Sequence, residues 1–254
     1  MLSQFKNKRL KLGKLLQYGD NLTICGNPVA LLKYITGELK TNDGYVEDDC
    51  FSCFTQRDEG IECYTTRFND GECLAGFRSP HNSPNNIVHL INKHPDILQK
   101  YFPKLGNNVI VINGIYTDVQ DRLNGQDLDT DSVFVTNQKD IIDLARKSYS
   151  EYATIINEIP LLGASKYGKD MKSYYDMDYK IALSQNDVGY ASNLAQLALS
   201  YYYDDGFKDN RLLNIFVICS VLAQVAIDSA KRIFDVEVTS ELRRLSICLL
   251  YTSP

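Results

Sequence analysis

The chain has 254 residues and a formal net charge of −5, enough length to bury one good core in one or two domains. Apolar residues at 44% and charged residues at 23% exclude a mostly disordered or collagen-like chain, and the negative charge excludes a protein that coats nucleic acid by bulk charge. Seven scattered cysteines do not make a disulfide framework, and residues 1–19 hold no apolar stretch of signal length, so a reducing cytoplasm is the expected location.

Residues 1–42 read as a mixed entry segment. Its basic cluster of Lys6, Lys8, Arg9, Lys11 and Lys14 is a solvated helix face in the plainest reading and a nucleic-acid contact in the other. From about 43 to 137 the pattern is β-rich. Cys50–Gln56 and Ile61–Phe68 have strand composition, and Asn69-Asp70-Gly71 before Cys73–Phe77 is a hairpin signal. Val109–Ile112 and Val133–Val135 are apolar runs of buried-strand length. A short helix is predicted around Pro95–Tyr101, stopped by Pro103.

After residue 137 the pattern turns helical, to about 246. Asn137 is placed to cap a helix from about Lys139 to Ile156, with Ile141, Ile142, Ala145, Tyr149 and Tyr152 along one side. Gly163–Asp178 reads as a loop. Asn186 to about Tyr202 and Asn210 to about Phe234 read as two further helices, the last one central. Its apolar run Leu212–Ile227 is short for a membrane span, so no membrane is expected. Residues 247–254 break the helical pattern and read as a disordered or artefactual tail resembling a translated sequencing adapter.

The strongest local feature is Asn124–Val135. Asp127, Asp129 and Asp131 stand at i, i+2 and i+4, after a turn and before an apolar strand. Three neighbouring carboxylates repel one another unless a cation sits among them, and hard oxygen donors suit Mg²⁺. The plain alternative is a solvated acidic loop. An EF-hand starting at Asp127 would put its glycine at Ser132 and its bidentate glutamate at Gln138, and both are wrong. Asp127-Leu128-Asp129-Thr130 also fits the letters of a haloacid-dehalogenase-type phosphatase, but there the nucleophile follows an apolar strand, and here the strand comes after. Cys50, Cys53, Cys63 and Cys73 have poor spacing for zinc and read as core cysteines.

Gly125–Val135 resembles the metal-binding signature of the two-barrel RNA polymerases, in which Asp-x-Asp-Gly-Asp leads into a strand of a double-psi β-barrel. It is closest to the eukaryotic-type RNA-dependent RNA polymerases and their single-chain phage and bacterial relatives. Upstream, Arg78-Ser79-Pro80 resembles the family's Arg-x-Pro segment, whose arginine faces the nucleotide's ribose, with His81 following. Downstream, Asp187 to Asn193 resembles its Asp-x-x-Gly-x-x-x-Asn helix start, and Ala226-Ile227-Asp228-Ser229-Ala230-Lys231 its Ala-Val-Asp-x-x-Lys segment.

The resemblance covers residues 60–235 and implies an α+β chain: a double-psi-barrel-like region followed by a helical region. It implies a Mg²⁺-dependent nucleotidyltransferase that adds NTPs to an RNA 3′ end on a nucleic-acid template. Asp127, Asp129 and Asp131 would hold the ion, Arg78 and Pro80 would face the substrate, and Asp187, Asn193, Asp228 and Lys231 would be helical-region contacts. A second Mg²⁺ would arrive with the NTP. The family's second, lysine-bearing barrel has no counterpart here, so the chain reads as a fragment, inactive alone. Thr130 stands where the family has glycine, and a negative φ is expected for it, because β-branched residues avoid positive φ. Two alternatives stay open: a metal-dependent phosphohydrolase, and a degenerate barrel kept as a nucleic-acid-binding or assembly module.

Overall fold

The computed structural model describes residues 2–9, 11, 17–39, 41–42, 45–46, 50–51, 59–79, 81, 83 and 86–252. In chain order its elements are α1 (Leu2–Lys8), β1 (Asp20–Cys25), α2 (Pro28–Thr36), β2 (Thr41–Asn42), β3 (Tyr45–Val46), β4 (Ile61–Tyr64), β5 (Cys73–Phe77), β6 (Ile87–Asn92), α3 (Asp96–Tyr101) and β7 (Val109–Ile112). There follow α4 (Val119–Arg122), β8 (Ser132–Thr136), α5 (Lys139–Glu151), β9 (Leu161–Ala164), α6 (Met171–Asp204), α7 (Asn210–Asp228), β10 (Arg232–Phe234) and α8 (Val238–Thr252).

The chain is α+β. Six strands close into a barrel in the order β1-β7-β4-β6-β5-β8, with β1–β7 and β4–β6 parallel and the other pairs antiparallel. Alternate residues of each strand fill the interior, among them Leu22 and Ile24, Val88 and Leu90, Ile110 and Ile112, and Val133 and Val135. The outer face is covered too. Ala75 and Ile87 pack against Ala145 of α5, while Tyr64 and Val111 pack with Val29 of α2 and Leu98 of α3. Burial on both faces is why Val109–Ile112 reads as a continuous apolar run.

Two expectations for the barrel are corrected. The barrel begins at Asp20 and not near residue 43, because β1 pairs with β7 and β8 from inside the supposed entry segment. Asn69-Asp70-Gly71 does not close a hairpin, because β6 lies between β4 and β5. The turn is tied to the end of β6 instead. Gly71 N donates to Asn92 O at 2.7 Å, and the buried Asn92 amide donates to the carbonyls of Thr65, Phe68 and Asn69 at 2.8–3.1 Å while accepting from Thr65 N at 2.9 Å. Most of the expected strand Cys50–Gln56, with Cys53, lies outside the described residues, as do Lys14 and Pro80. Cys63 is buried on β4.

The helical part also departs from its pattern. Asn137 is not the cap of α5, since Gln138 holds the N-cap position without a side-chain bond; the Asn137 amide donates to Glu72 Oε1 at 2.6 Å, and α5 stops at Glu151. The stretch expected as a loop holds β9, paired with β10, and the start of α6, where Asp170 caps by accepting from Ser173 N at 2.9 Å. The third expected helix ends at Asp228, and β10 takes its last residues. At 19 residues and mean hydropathy 1.7, α7 is long and apolar enough to cross a membrane. Here its Leu212, Phe216, Cys219, Leu222, Ala223 and Ala226 form the centre of a core shared with α6 and α8. The supposed tail from 247 is corrected: α8 runs on through Thr252, and Leu249 is 2% exposed within that core. The cysteines described, Cys25, Cys50, Cys63, Cys73, Cys219 and Cys248, are unbridged.

Candidate metal centre

The acidic loop joins α4 to β8. Asn124 (φ 61°) and Gly125 (φ 69°) turn the chain through left-handed conformations that these two residue types accept. The loop is then fastened at its far end. Asp131 O accepts from Ile24 N of β1 at 2.8 Å, and Asp131 Oδ2 accepts from Asp127 N at 3.0 Å. That folds the carboxylates back on one another, and a ligand oxygen of each of Asp127, Asp129 and Asp131 lies within 4.8 Å of the other two.

Arg78 follows the last residue of β5, which pairs with β8, and reaches this loop from the neighbouring strand. Its Nη2 pairs with Asp131 Oδ2 at 2.8 Å, and Nη1 donates to the carbonyls of Leu123 and Asn124, both at 3.1 Å. The guanidinium thus ties both ends of the loop together, with 11% of its side chain exposed. Arg78→Ala is expected to lower stability by about 2–3 kcal/mol in urea unfolding, since it strands a half-buried carboxylate and two carbonyls at once.

The carboxyls of Asp127 and Asp129 lie close together, and Asp127 Oδ1 accepts from Asp129 N at 3.3 Å. That proximity holds Asp127 below the usual carboxylate range, with Lys231 and Arg78 adding to the effect, and pushes Asp129 above that range. A cation among the three acids would relieve the repulsion that raises Asp129. The donor set fits such an ion. Oxygens on one Mg²⁺ stand about 3.0 Å apart when adjacent and about 4.2 Å when opposite, so three donors spread by as much as 4.8 Å would close around the ion on binding.

The opposite wall is helical. Lys231 and Asp228 line the same cleft, of about 380 Å³, with Arg78 and the three aspartates. Asp228 pairs with Lys231 and with Arg232, each at 3.2 Å. Asp228 raises the Lys231 pKa most, and Asp127 and Asp129 add to it. Asp187 and Asn193 are not part of this group. Asp187 is buried against α8, where Thr239 donates to its carboxylate at 3.0 Å, and Asn193 is exposed on α6. Apolar neighbours at i+1, i+4 and i+7 put Asp187 on the packing side of its helix, a signal that short-motif matching ignores. Asp121, pushed up by burial and then by Asp118, and Arg232 also line the cleft. Both were legible only as neighbours of the residues already chosen.

Thr130 overturns the expectation of negative φ, standing at +97°. The back-fold that brings Asp127 N to Asp131 requires a left-handed residue there, and the β-branched side chain is strained in it. Thr130→Gly should therefore raise stability by about 1 kcal/mol, net of glycine's entropy, or roughly 2–4 °C in a thermal melt. An unchanged or lower melting temperature would mean that the threonine is not strained.

Fold and geometry define a closed six-stranded barrel with a cluster of three aspartates at the entrance to β8. The condition for the phosphohydrolase alternative, an aspartate at the end of a parallel strand, is not met, because the acids follow α4 and precede β8. Among solved structures the chain is similar to the RNA-dependent RNA polymerase QDE-1 from Thielavia terrestris, at 17% identity and a TM-score of 0.45, over 72% of this chain and 22% of that one. The chain thus spans about a fifth of that polymerase. No protein-family model matches the chain. No curated protein matches it.

Proposed function

We propose that the chain carries the catalytic metal site of an RNA polymerase, a nucleotidyltransferase that adds NTPs to an RNA 3′ end on a nucleic-acid template. The observation that carries this reading is the convergence of three carboxylates, a guanidinium and an ammonium on one cleft from elements far apart in sequence. Asp127, Asp129 and Asp131 would hold Mg²⁺, which supplies Lewis-acid activation of a 3′-hydroxyl and charge neutralisation on a triphosphate. Lys231, held protonated by Asp228, faces the acids from the opposite wall, where a phosphate's negative charge would be stabilised. Among the described residues, the loop occupies both Nη1 hydrogens of Arg78 and one of Nη2, and Nε–H and the other Nη2 hydrogen would serve a ribose hydroxyl. A second, lysine-bearing barrel would come from elsewhere in a longer protein, working in a reducing cytoplasm.

The strained Thr130 favours one second reading, a degenerate barrel kept as a binding module. The two are separated by titrating the purified chain with Mn²⁺ under electron paramagnetic resonance and by assaying labelled NTP incorporation by the full-length protein. Mn²⁺ bound by the chain, with incorporation by the longer protein, supports the polymerase. Absence of Mn²⁺ binding, or incorporation only after Thr130→Gly, supports the module. Robust primer extension by the 254-residue chain itself would refute the need for a second barrel.

A further inference from the structure

We propose that the first three turns of α6, with the loop before them, bind single-stranded nucleic acid and lead it to the acidic cleft. The choice of partner rests on the polymerase reading above; the surface chemistry is independent of it. This stretch, from Met171 to Leu183, stands clear of the helical core, which α6 joins only from Ser184. It exposes aromatic surface that a solvated helix has no reason to carry. Tyr175 is 70% exposed and Tyr179 60%, and with Lys172 they form one stripe at i, i+3 and i+7.

The spacing suits bases. Tyr175 and Tyr179 are four residues apart, about 6 Å along the helix axis, close to twice the 3.4 Å stacking repeat, so one base fits between two rings. Exposed Lys166, Lys169 and Lys172 supply phosphate contacts along the same edge. Of the acids nearby, Asp170 is consumed by the cap, and Asp176 and Asp178 flank the stripe on either side.

The segment is also joined to the cleft wall. Tyr167 Oη donates to Ala230 O at 2.7 Å, and Ser165 N donates to Lys231 O at 3.0 Å. Lys180 Nζ reaches Ser165 Oγ at 3.5 Å and lies over the Tyr167 ring at 5.4 Å. A strand lying on the tyrosines therefore continues past residues bonded directly to the backbone beside Lys231.

The test is fluorescence anisotropy of the purified chain with a fluorescein-labelled 12-nucleotide oligouridylate. Binding is expected, weakening about twentyfold between 50 and 200 mM salt if three lysines contact phosphates. The double variant Tyr175→Ala/Tyr179→Ala should lose at least about tenfold in affinity at an unchanged melting temperature, and Tyr175→Phe/Tyr179→Phe should keep most of it, because stacking needs the ring and not the hydroxyl. Asp127→Asn/Asp129→Asn should lose Mn²⁺ and keep the oligonucleotide. The two ideas are thereby separable: failure of the unmodified chain to bind Mn²⁺, with RNA binding intact, counts against the polymerase reading alone. No oligonucleotide binding, or binding indifferent to the alanine pair, overturns this proposal and leaves the tyrosines as a protein-contact surface.

Discussion

Asp129→Asn is expected to abolish Mn²⁺ binding by the chain and to lower nucleotide incorporation by the full-length protein at least about a thousandfold. Asparagine keeps the shape and removes the charge, and Lewis-acid stabilisation of several kcal/mol corresponds to that factor at about 1.4 kcal/mol per tenfold. The pH dependence follows from the raised pKa of Asp129. The folded chain holds the Asp129 proton more tightly than the unfolded chain does, so this contribution to stability is complete below the ordinary carboxylate pKa and is lost as pH rises through the raised value. Metal binding has the opposite slope, since the ion displaces that proton, and Mn²⁺ affinity should rise between about pH 4 and neutrality. The variant should melt no lower than wild type without metal, because one repulsion is gone, yet lose the metal-induced rise in melting temperature. A variant that still binds Mn²⁺ at wild-type affinity would remove Asp129 from the site.

The second large effect lies outside the cleft. His89 on β6 points out of the barrel, is 1% exposed, and has a hydrogen-bond partner on neither ring nitrogen among the described residues. Burial, and then the charge of Arg146 on α5, lower its pKa to about 4. It is neutral in the fold at pH 7. Below pH 6.5 the unfolded chain takes up a proton that the folded chain resists, so stability is full above 6.5 and is lost as pH falls toward 4, by about 3 kcal/mol in total. Urea midpoints at pH 7, 6, 5 and 4.5 should fall in step, and His89→Leu, of similar volume, should flatten that part of the curve. Superimposable curves for the two proteins would sink the assignment. The same packing explains Gly60, where φ is +82° and a Cβ would lie 2.6 Å from His89 Nδ1.

What the sequence makes legible follows from how local each signal is. Val109–Ile112 and Val133–Val135 are strands because an apolar run is a local fact that tertiary contacts only reinforce. The spacing of the three aspartates and the turn before them are local too, while Ile24 and Arg78 fix the loop that brings the carboxylates together. Partners at long range are another matter. Asn69-Asp70-Gly71 is a sound turn, but which strand its flanks pair with is set by β6 and the Asn92 amide, some twenty residues on. Asp20–Cys25 carries too few apolar residues to announce a strand until β7 and β8 flank it. Thr130 fails for a related reason: its φ is imposed by bonds to β1 and Arg78, which outweigh its own preference. Among the helical contacts, Asp228 and Lys231 sit where a turn of α7 meets the cleft, while Asp187 faces inward.

The position of β1 bears on how the protein comes to be made. Asn21 and Ser132 touch across 111 residues, and β1 finds both of its neighbours only in β7 and β8. On the ribosome, the first barrel strand therefore emerges with both edges bare and must wait until Thr136 has been synthesised before the ring can shut. So non-local a topology has a high contact order, and closure is slow relative to the α6–α7 hairpin, whose partners are adjacent in the chain. The helical half can form promptly once translated, whereas the acidic loop, anchored through Ile24 and Arg78, gains its shape only when the barrel closes.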